Sequence, residues 1–262
     1  MAEKPWYIDW FNSLFYHKLY FERDEREAID FIQRLINYLG PAAGSRMLDI
    51  ACGRGRHSKI LATLGFEVTG TDLSPDSIDY AKQFEKNNLE FYVHDMRLPF
   101  RINYFDHAFN FFTSFGYFRT RREHDDTMRT IAKSLKEEGI LVIDYLNVHY
   151  AEDHLLHEEI KKINETTYDI RRWDDETHFY KKIVISDPSL SQPLEFTEKI
   201  VKFSLGDFND MLGYQGMQLK EAFGDYHLNR YDVRKTPRMI VVAEKPHQTL
   251  PDRQAGSPKG EA

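Results

Sequence analysis

Between residues 45 and 146 short apolar runs alternate with amphipathic segments, and no other feature restricts the fold as tightly. Met47–Ala51, Glu67–Thr71, Glu90–His94, Phe105–Phe112 and Ile140–Leu146 read as strands. Ser58–Leu64, Pro75–Phe84 and Glu123–Leu135 read as helices between them, with Ser74 and Pro75 a good N-cap and first-position pair. Strands and helices that alternate at this spacing build a mostly parallel sheet covered on both faces. The expected fold class is therefore α/β.

The flanks follow other rules. Residues 1–40 read as a helical cap: a dense aromatic stretch from Trp6 to Phe21 with steps of about four, then a second helix from about Asp24 with Ala28, Ile32, Leu35 and Leu39 on one stripe. Gly40 and Pro41 stop it. After Leu146 a short helical segment near Tyr150–Leu156 leads into three β-prone stretches, roughly Glu159–Arg172, Thr177–Asp187 and Leu194–Leu205. Short connections between them favour an antiparallel meander, so 150–204 reads as an insertion that forms a lid or a dimer surface. Its Lys161-Lys162, Arg171-Arg172 and Lys181-Lys182 pairs point to opposite faces and make no one-sided basic stripe. The α/β pattern resumes with a helix near Asp207–Leu212 and strands near Gln218–Phe223 and Arg238–Glu244. The core thus spans 41–149 and 205–245, and 246–262 reads as a disordered tail.

The first strand ends in Leu48-Asp49-Ile50-Ala51-Cys52-Gly53-Arg54-Gly55, just before a helix. Glycines at such a turn let the backbone approach a ligand, and the helix N-terminus adds a favourable dipole. In a dinucleotide fingerprint the third glycine would fall where this chain has Ser58, and Asp49 departs from that pattern too. Asp72 ends the second strand and suits two ribose hydroxyls, while Asp95, ahead of Met96, ends the third and suits an exocyclic adenine amine. Three acids at three successive strand ends converge on the crevice where open α/β sheets bind ligands.

These residues resemble the class I S-adenosylmethionine-dependent methyltransferases, in particular their bacterial small-molecule branch, over about residues 45–146 and 205–245. The resemblance implies a Rossmann-like seven-stranded sheet with its last strand antiparallel, at Met239–Ala243. It implies S-adenosylmethionine as cofactor, held by Asp49, Ala51, Gly53 and Gly55 of the first motif, Asp72 and Leu73, Asp95 and Met96, and Asn110 and Phe111 at the fourth strand end. Tyr16 and Tyr20 are similar to an N-terminal aromatic segment that closes over the cofactor in related enzymes. Of the family's turn before the fifth strand only the last glycine survives, in Lys136-Glu137-Glu138-Gly139.

Methyl transfer from a sulfonium is an in-line displacement that positioning alone can drive, and a base is needed only if the acceptor must lose a proton. Candidate bases are His57, Tyr117, Asp144 and His149. Arg54 and Arg56 give the glycine turn positive character, and Phe115-Gly116-Tyr117-Phe118 offers an aromatic wall. Carbon-5 cytosine methylation needs a cysteine nucleophile, and the one cysteine, Cys52, lies inside the turn. Amine methylation of nucleic-acid bases goes with an Asn/Asp-Pro-Pro-aromatic pattern, whereas Asn110-Phe111-Phe112-Thr113 has no proline. A formal charge of −7 also disfavours nucleic acid. The expected acceptor is a small molecule, with a regulatory cofactor-binding protein without turnover, or an RNA methyltransferase, as alternatives. No apolar run is long enough to span a bilayer. No metal site is expected from one cysteine, a homodimer is an allowed partner, and a cytoplasmic location follows from the absence of a signal pattern.

Overall fold

A computed structural model describes residues 5–20 and 25–247. The chain opens with two short helices, α1 (Trp6–Phe11) and α2 (Leu14–Leu19), then α3 (Glu25–Leu39). The α/β run follows as β1 (Arg46–Ile50), α4 (Arg56–Thr63), β2 (Glu67–Asp72), α5 (Pro75–Ala81), β3 (Leu89–Val93), β4 (Phe105–Asn110), α6 (Arg121–Ser134) and β5 (Leu135–Leu146). Next come α7 (Val148–Asp153) and four strands, β6 (Glu158–Ile163), β7 (Thr166–Asp174), β8 (His178–Ser186) and β9 (Leu194–Val201). The chain returns through α8 (Leu205–Gly213), β10 (Gln218–Phe223) and β11 (Arg238–Glu244).

The main sheet has seven strands in the order β10-β11-β5-β4-β1-β2-β3. β1 pairs parallel with β2 and β4, as the alternating pattern implied, and β11 runs antiparallel to β5, as the family resemblance implied. Because consecutive strand residues face opposite ways, Met47 and Leu48 enter different cores. Met47 joins Phe31, Leu35, Leu61 and Ile78 under α3, α4 and α5. Leu48 joins Met128, Ile131, Phe208 and Met211 under α6 and α8. Among the described residues no helix is long and apolar enough to cross a membrane.

Four features differ from the sequence reading. The aromatic stretch is two helices, because Ser13 caps α2 by accepting the Phe15 N–H and so breaks the run. The stretch Glu159–Arg172 folds back at Asn164, whose φ of +53° allows a tight turn, so the insertion has four strands rather than three. Lys136–Gly139 is an irregularity inside β5: Phe105 aligns with Leu135 and His107 with Ile140. The anticipated cap is divided, since α3 packs on the main sheet whereas Trp10 and Leu19 of α1 and α2 share a separate core with Tyr168, Ile170, Ile183 and Ile185 of the insertion. Most of the anticipated tail, 248–262, lies outside the described residues.

Candidate active site

A cavity of about 510 Å³ opens at the carboxyl ends of β1–β4, where the topology of an open α/β sheet places a ligand. Its floor is the glycine turn. Gly53 and Gly55 have φ of +54° and +76°, the left-handed region that suits residues without a Cβ. A Cβ at Gly55 would lie 2.6 Å from the Phe91 ring, whereas one at Gly53 would meet nothing. Gly55 thus lets the turn settle on β3, and Gly53 leaves open space above it.

Two departures from the dinucleotide fingerprint prove to be one interaction. The Ser58 hydroxyl donates to Asp49 Oδ2 at 2.5 Å, and both residues are buried. The serine replacing the third glycine ties the helix start to the strand end. Burial pushes the Asp49 carboxyl up to about 7, with the Ser58 hydrogen bonds pulling the other way. Asp72 accepts the Gly53 N–H on Oδ2 and the Ser74 N–H on Oδ1, both at 2.8 Å. Burial raises its pKa against those bonds. Its carboxylate is therefore aimed before any ligand arrives, with lone pairs left for further donors.

Asp95 also lines the cavity but is shared: Arg97 Nη2 lies 2.7 Å from Oδ2, and the same guanidinium reaches Glu123 at 2.7 Å. Although burial raises Asp95, the Arg97 bonds outweigh it and hold its pKa low. Ala51, Leu73, Met96 and Phe111 complete this side. Asn110 does not line the cavity. Its side chain is fully buried and donates to the Ile50 carbonyl at 3.1 Å, stitching β4 to β1.

The base candidates separate in the same way. His57 lines the cavity, stacked on Phe112 with ring centroids 5.3 Å apart and 3.3 Å from Arg56. Tyr117 lines it too, against Trp6 and Phe11. Asp144 does not: it is wholly buried and accepts from Arg238, the Tyr226 hydroxyl and the Phe112 N–H. His149 sits on α7, facing Glu152 at 3.3 Å, and does not line the cavity. Neither side chain is therefore on the cavity wall. Of the proposed aromatic wall, Tyr117 and Phe118 face the cavity, whereas Phe115 belongs to the core.

The roof comes from distant chain. Tyr16 and Tyr20 of the α2 region line it, with ring centroids 4.9 Å apart. Glu198 and Ile200 of β9 and Arg238 of β11 line it as well. Sequence reasoning missed Glu198 although a signal existed: Leu194, Phe196, Glu198 and Ile200 occupy alternate positions of a strand, and the carboxylate interrupts that apolar face. The residues suit a nucleoside-like group that carries charge. His17 Nε2 and Arg54 Nε are buried without a hydrogen-bond partner among the described residues, and both side chains line the cavity. Burial, reinforced by Arg54, lowers His17 to about 4, so it stays neutral.

Fold and site together define a class I, Rossmann-like methyltransferase architecture. A methyltransferase domain family model matches residues 41–184, more than half of the 262, and the chain belongs to that family. It is 30% identical over 156 residues to a Geobacillus sp. (strain WCH70) protein named as a methyltransferase, which covers 58% of this chain and 63% of the relative. The chain thus spans less than two thirds of that relative's length. A solved S-adenosylmethionine-dependent methyltransferase from Clostridium acetobutylicum superposes with a TM-score of 0.75 at 17% identity, over 89% of this chain and 97% of the other. An amino pentose methyltransferase from Micromonospora echinaspora, solved with S-adenosylmethionine bound, gives 0.65 at 20% identity over 89% and 97%.

Proposed function

We propose that the protein transfers a methyl group from S-adenosylmethionine to a small-molecule acceptor. One observation carries the reading: Asp72, held by the Gly53 and Ser74 N–H groups, shares a cavity with the glycine turn and Asp95. Asp72 would take the ribose hydroxyls, Met96 and Leu73 would flank the purine, and the unpartnered His17 and Arg54 nitrogens would meet the amino-acid end. The bound cofactor supplies an electrophilic methyl carbon on a positively charged sulfur. The chain's own work is to orient the acceptor in line and exclude water beneath α1, α2 and β9. A volume of about 510 Å³ falls in the range of small-ligand sites, which favours a small acceptor over a polymer. The names of the amino pentose methyltransferase above and of a 30%-identical Streptomyces venezuelae sugar N,N-dimethyltransferase are consistent with that class.

Calorimetry tests the donor. S-adenosylmethionine and S-adenosylhomocysteine bind the wild type, and Asp72→Ala weakens both by roughly a hundredfold, as loss of two charge-assisted hydrogen bonds would. Binding of a nicotinamide dinucleotide without either methionine derivative would overturn the reading.

A further inference from the structure

We infer that Glu198 is the acceptor-binding carboxylate and that the acceptor is an amine, an inference that rests on the methyl-transfer reading above. Glu198 and Lys181 are directly opposed partners of β9 and β8, on the strand faces that otherwise carry Phe196, Ile200, Ile183 and Phe179. A cross-strand ion pair on an apolar face is costly to bury without a use. The pair is moreover not closed on itself. Lys181 Nζ stands 3.7 Å from Glu198 Oε1, beyond hydrogen-bond reach, and instead meets the Tyr20 hydroxyl. Glu198 Oε1 accepts the Trp10 indole N–H at 2.7 Å and the Tyr20 O–H at 3.3 Å. No described residue donates to Oε2. A carboxylate fixed through one oxygen, with the other unused and its side chain on the cavity wall, is an acceptor of N–H or O–H groups from a ligand.

The surroundings select a cation. Phe11 packs against Tyr16 and Tyr117 at centroid distances of 4.9 and 5.5 Å, so aromatic faces border the same part of the cavity. Aromatic faces next to a carboxylate hold ammonium groups through the ring quadrupole and the ion pair together. The two cations nearest this end are engaged: Arg238 is matched by Asp144 at 2.6 Å, and Lys181 is held between the Tyr20 hydroxyl and Glu198. An amine entering as its ammonium form gives one proton to Glu198, which passes it to water. The freed nitrogen lone pair then forms the new carbon–nitrogen bond as the methyl carbon's bond to sulfur breaks. Sulfur keeps that electron pair as a neutral thioether, and the positive charge ends on the methylated ammonium beside Glu198.

The test uses the full chain saturated with S-adenosylhomocysteine and two probes of equal shape, benzylamine and benzyl alcohol, followed by calorimetry. Benzylamine binds the wild type roughly tenfold or more tightly than the alcohol. Glu198→Gln keeps an oxygen for Trp10 and Tyr20 but removes the charge, so the preference disappears while S-adenosylhomocysteine affinity and melting temperature hold. Lys181→Met removes the competing cation and preserves or increases the preference. Equal binding of the two probes to the wild type, a preference that survives in Glu198→Gln, or a loss in Lys181→Met equal to that in Glu198→Gln overturns the assignment. Failure of the wild type to bind S-adenosylhomocysteine overturns the methyl-transfer reading and this inference with it. Intact cofactor binding without amine preference overturns this inference alone.

Discussion

Arg238 on β11 and Asp144 on the adjacent antiparallel β5 form a buried ion pair, with Nη2 and Oδ1 2.6 Å apart. The pair holds up the Phe112–Thr113 wall of the cavity from beneath. Asp144 Oδ2 takes the Phe112 N–H at 3.0 Å, its backbone carbonyl takes the Thr113 N–H at 2.9 Å, and Arg238 donates to the Thr113 hydroxyl at 3.0 Å. Phe112 and Thr113 have φ of +57° and +56°, a conformation that bulky and β-branched residues adopt only when the surroundings impose it. The aspartate that the sequence offered as a base thus stabilises a strained turn, and that turn sets the Phe112 ring against His57.

Asp144→Ala strands a buried guanidinium and should cost about 3–5 kcal/mol in urea unfolding. Activity lost in this variant should follow the loss of folded protein. A variant that keeps wild-type stability while losing turnover would return Asp144 to the list of bases.

Gly55→Ala should destabilise by about 2–3 kcal/mol, combining a left-handed φ with a clash against Phe91. Phe91→Leu relieves the clash but leaves the backbone strain. The double mutant should therefore lose less than the two single losses added, as read by denaturant midpoints.

The pH dependence of stability separates two kinds of buried group. Asp49 is raised to about 7, so its contribution is full below the ordinary 3.8 and is lost as pH rises through 7. His17 and His124 are lowered by burial to about 4, so theirs is full above 6.5 and is lost as pH falls toward 4. Asp49→Asn removes the first and leaves the second. Relative to wild type it should gain on the order of 2–4 kcal/mol in going from pH 4 to pH 8. Parallel stability curves for the two proteins would contradict the burial effect.

Trp10→Phe keeps an aromatic ring against Phe196, 4.7 Å away and tilted in the native protein, but removes the donor to Glu198. The expected cost is about 1–2 kcal/mol. Hydrogen exchange should quicken in α1 and α2 and stay unchanged in β1, β4 and β5. Uniform acceleration through the main sheet would show that the helices are not a separately opening unit.

What the sequence made legible was the part built from local contacts. β10 and β11 fall at the anticipated residues, and the glycine turn, Asp72 and Asp95 stand at the anticipated strand ends, because period-two patterning and turn chemistry act within a few residues. The hairpin at Asn164 was legible in principle, since asparagine tolerates positive φ, but the β-prone run around it masked the turn. The roof was not legible. Trp10 meets Glu198 across 188 residues, and no local pattern encodes such a partnership. The buried partners of Asp144 and Asn110 were not legible for a related reason: a polar residue at a strand end looks alike whether it faces the crevice or a buried partner.

The two halves of the cavity have different genealogies within the chain. The floor, with the glycine turn, Asp72 and Asp95, comes from one unbroken run, Asp49 to Phe111. The opposite side is assembled from α1 and α2, the loop at Tyr117, β9 and Arg238. Of these, α1, α2 and β9 meet in a core of their own around Trp10 and Tyr168, whereas Arg238 belongs to the sheet below. Selection can therefore exchange the roof for another without rewriting the floor. A graft of 5–20 together with 154–203 onto a relative's core is the unit in which substrate choice should travel, whereas either segment moved alone would arrive with half its packing missing.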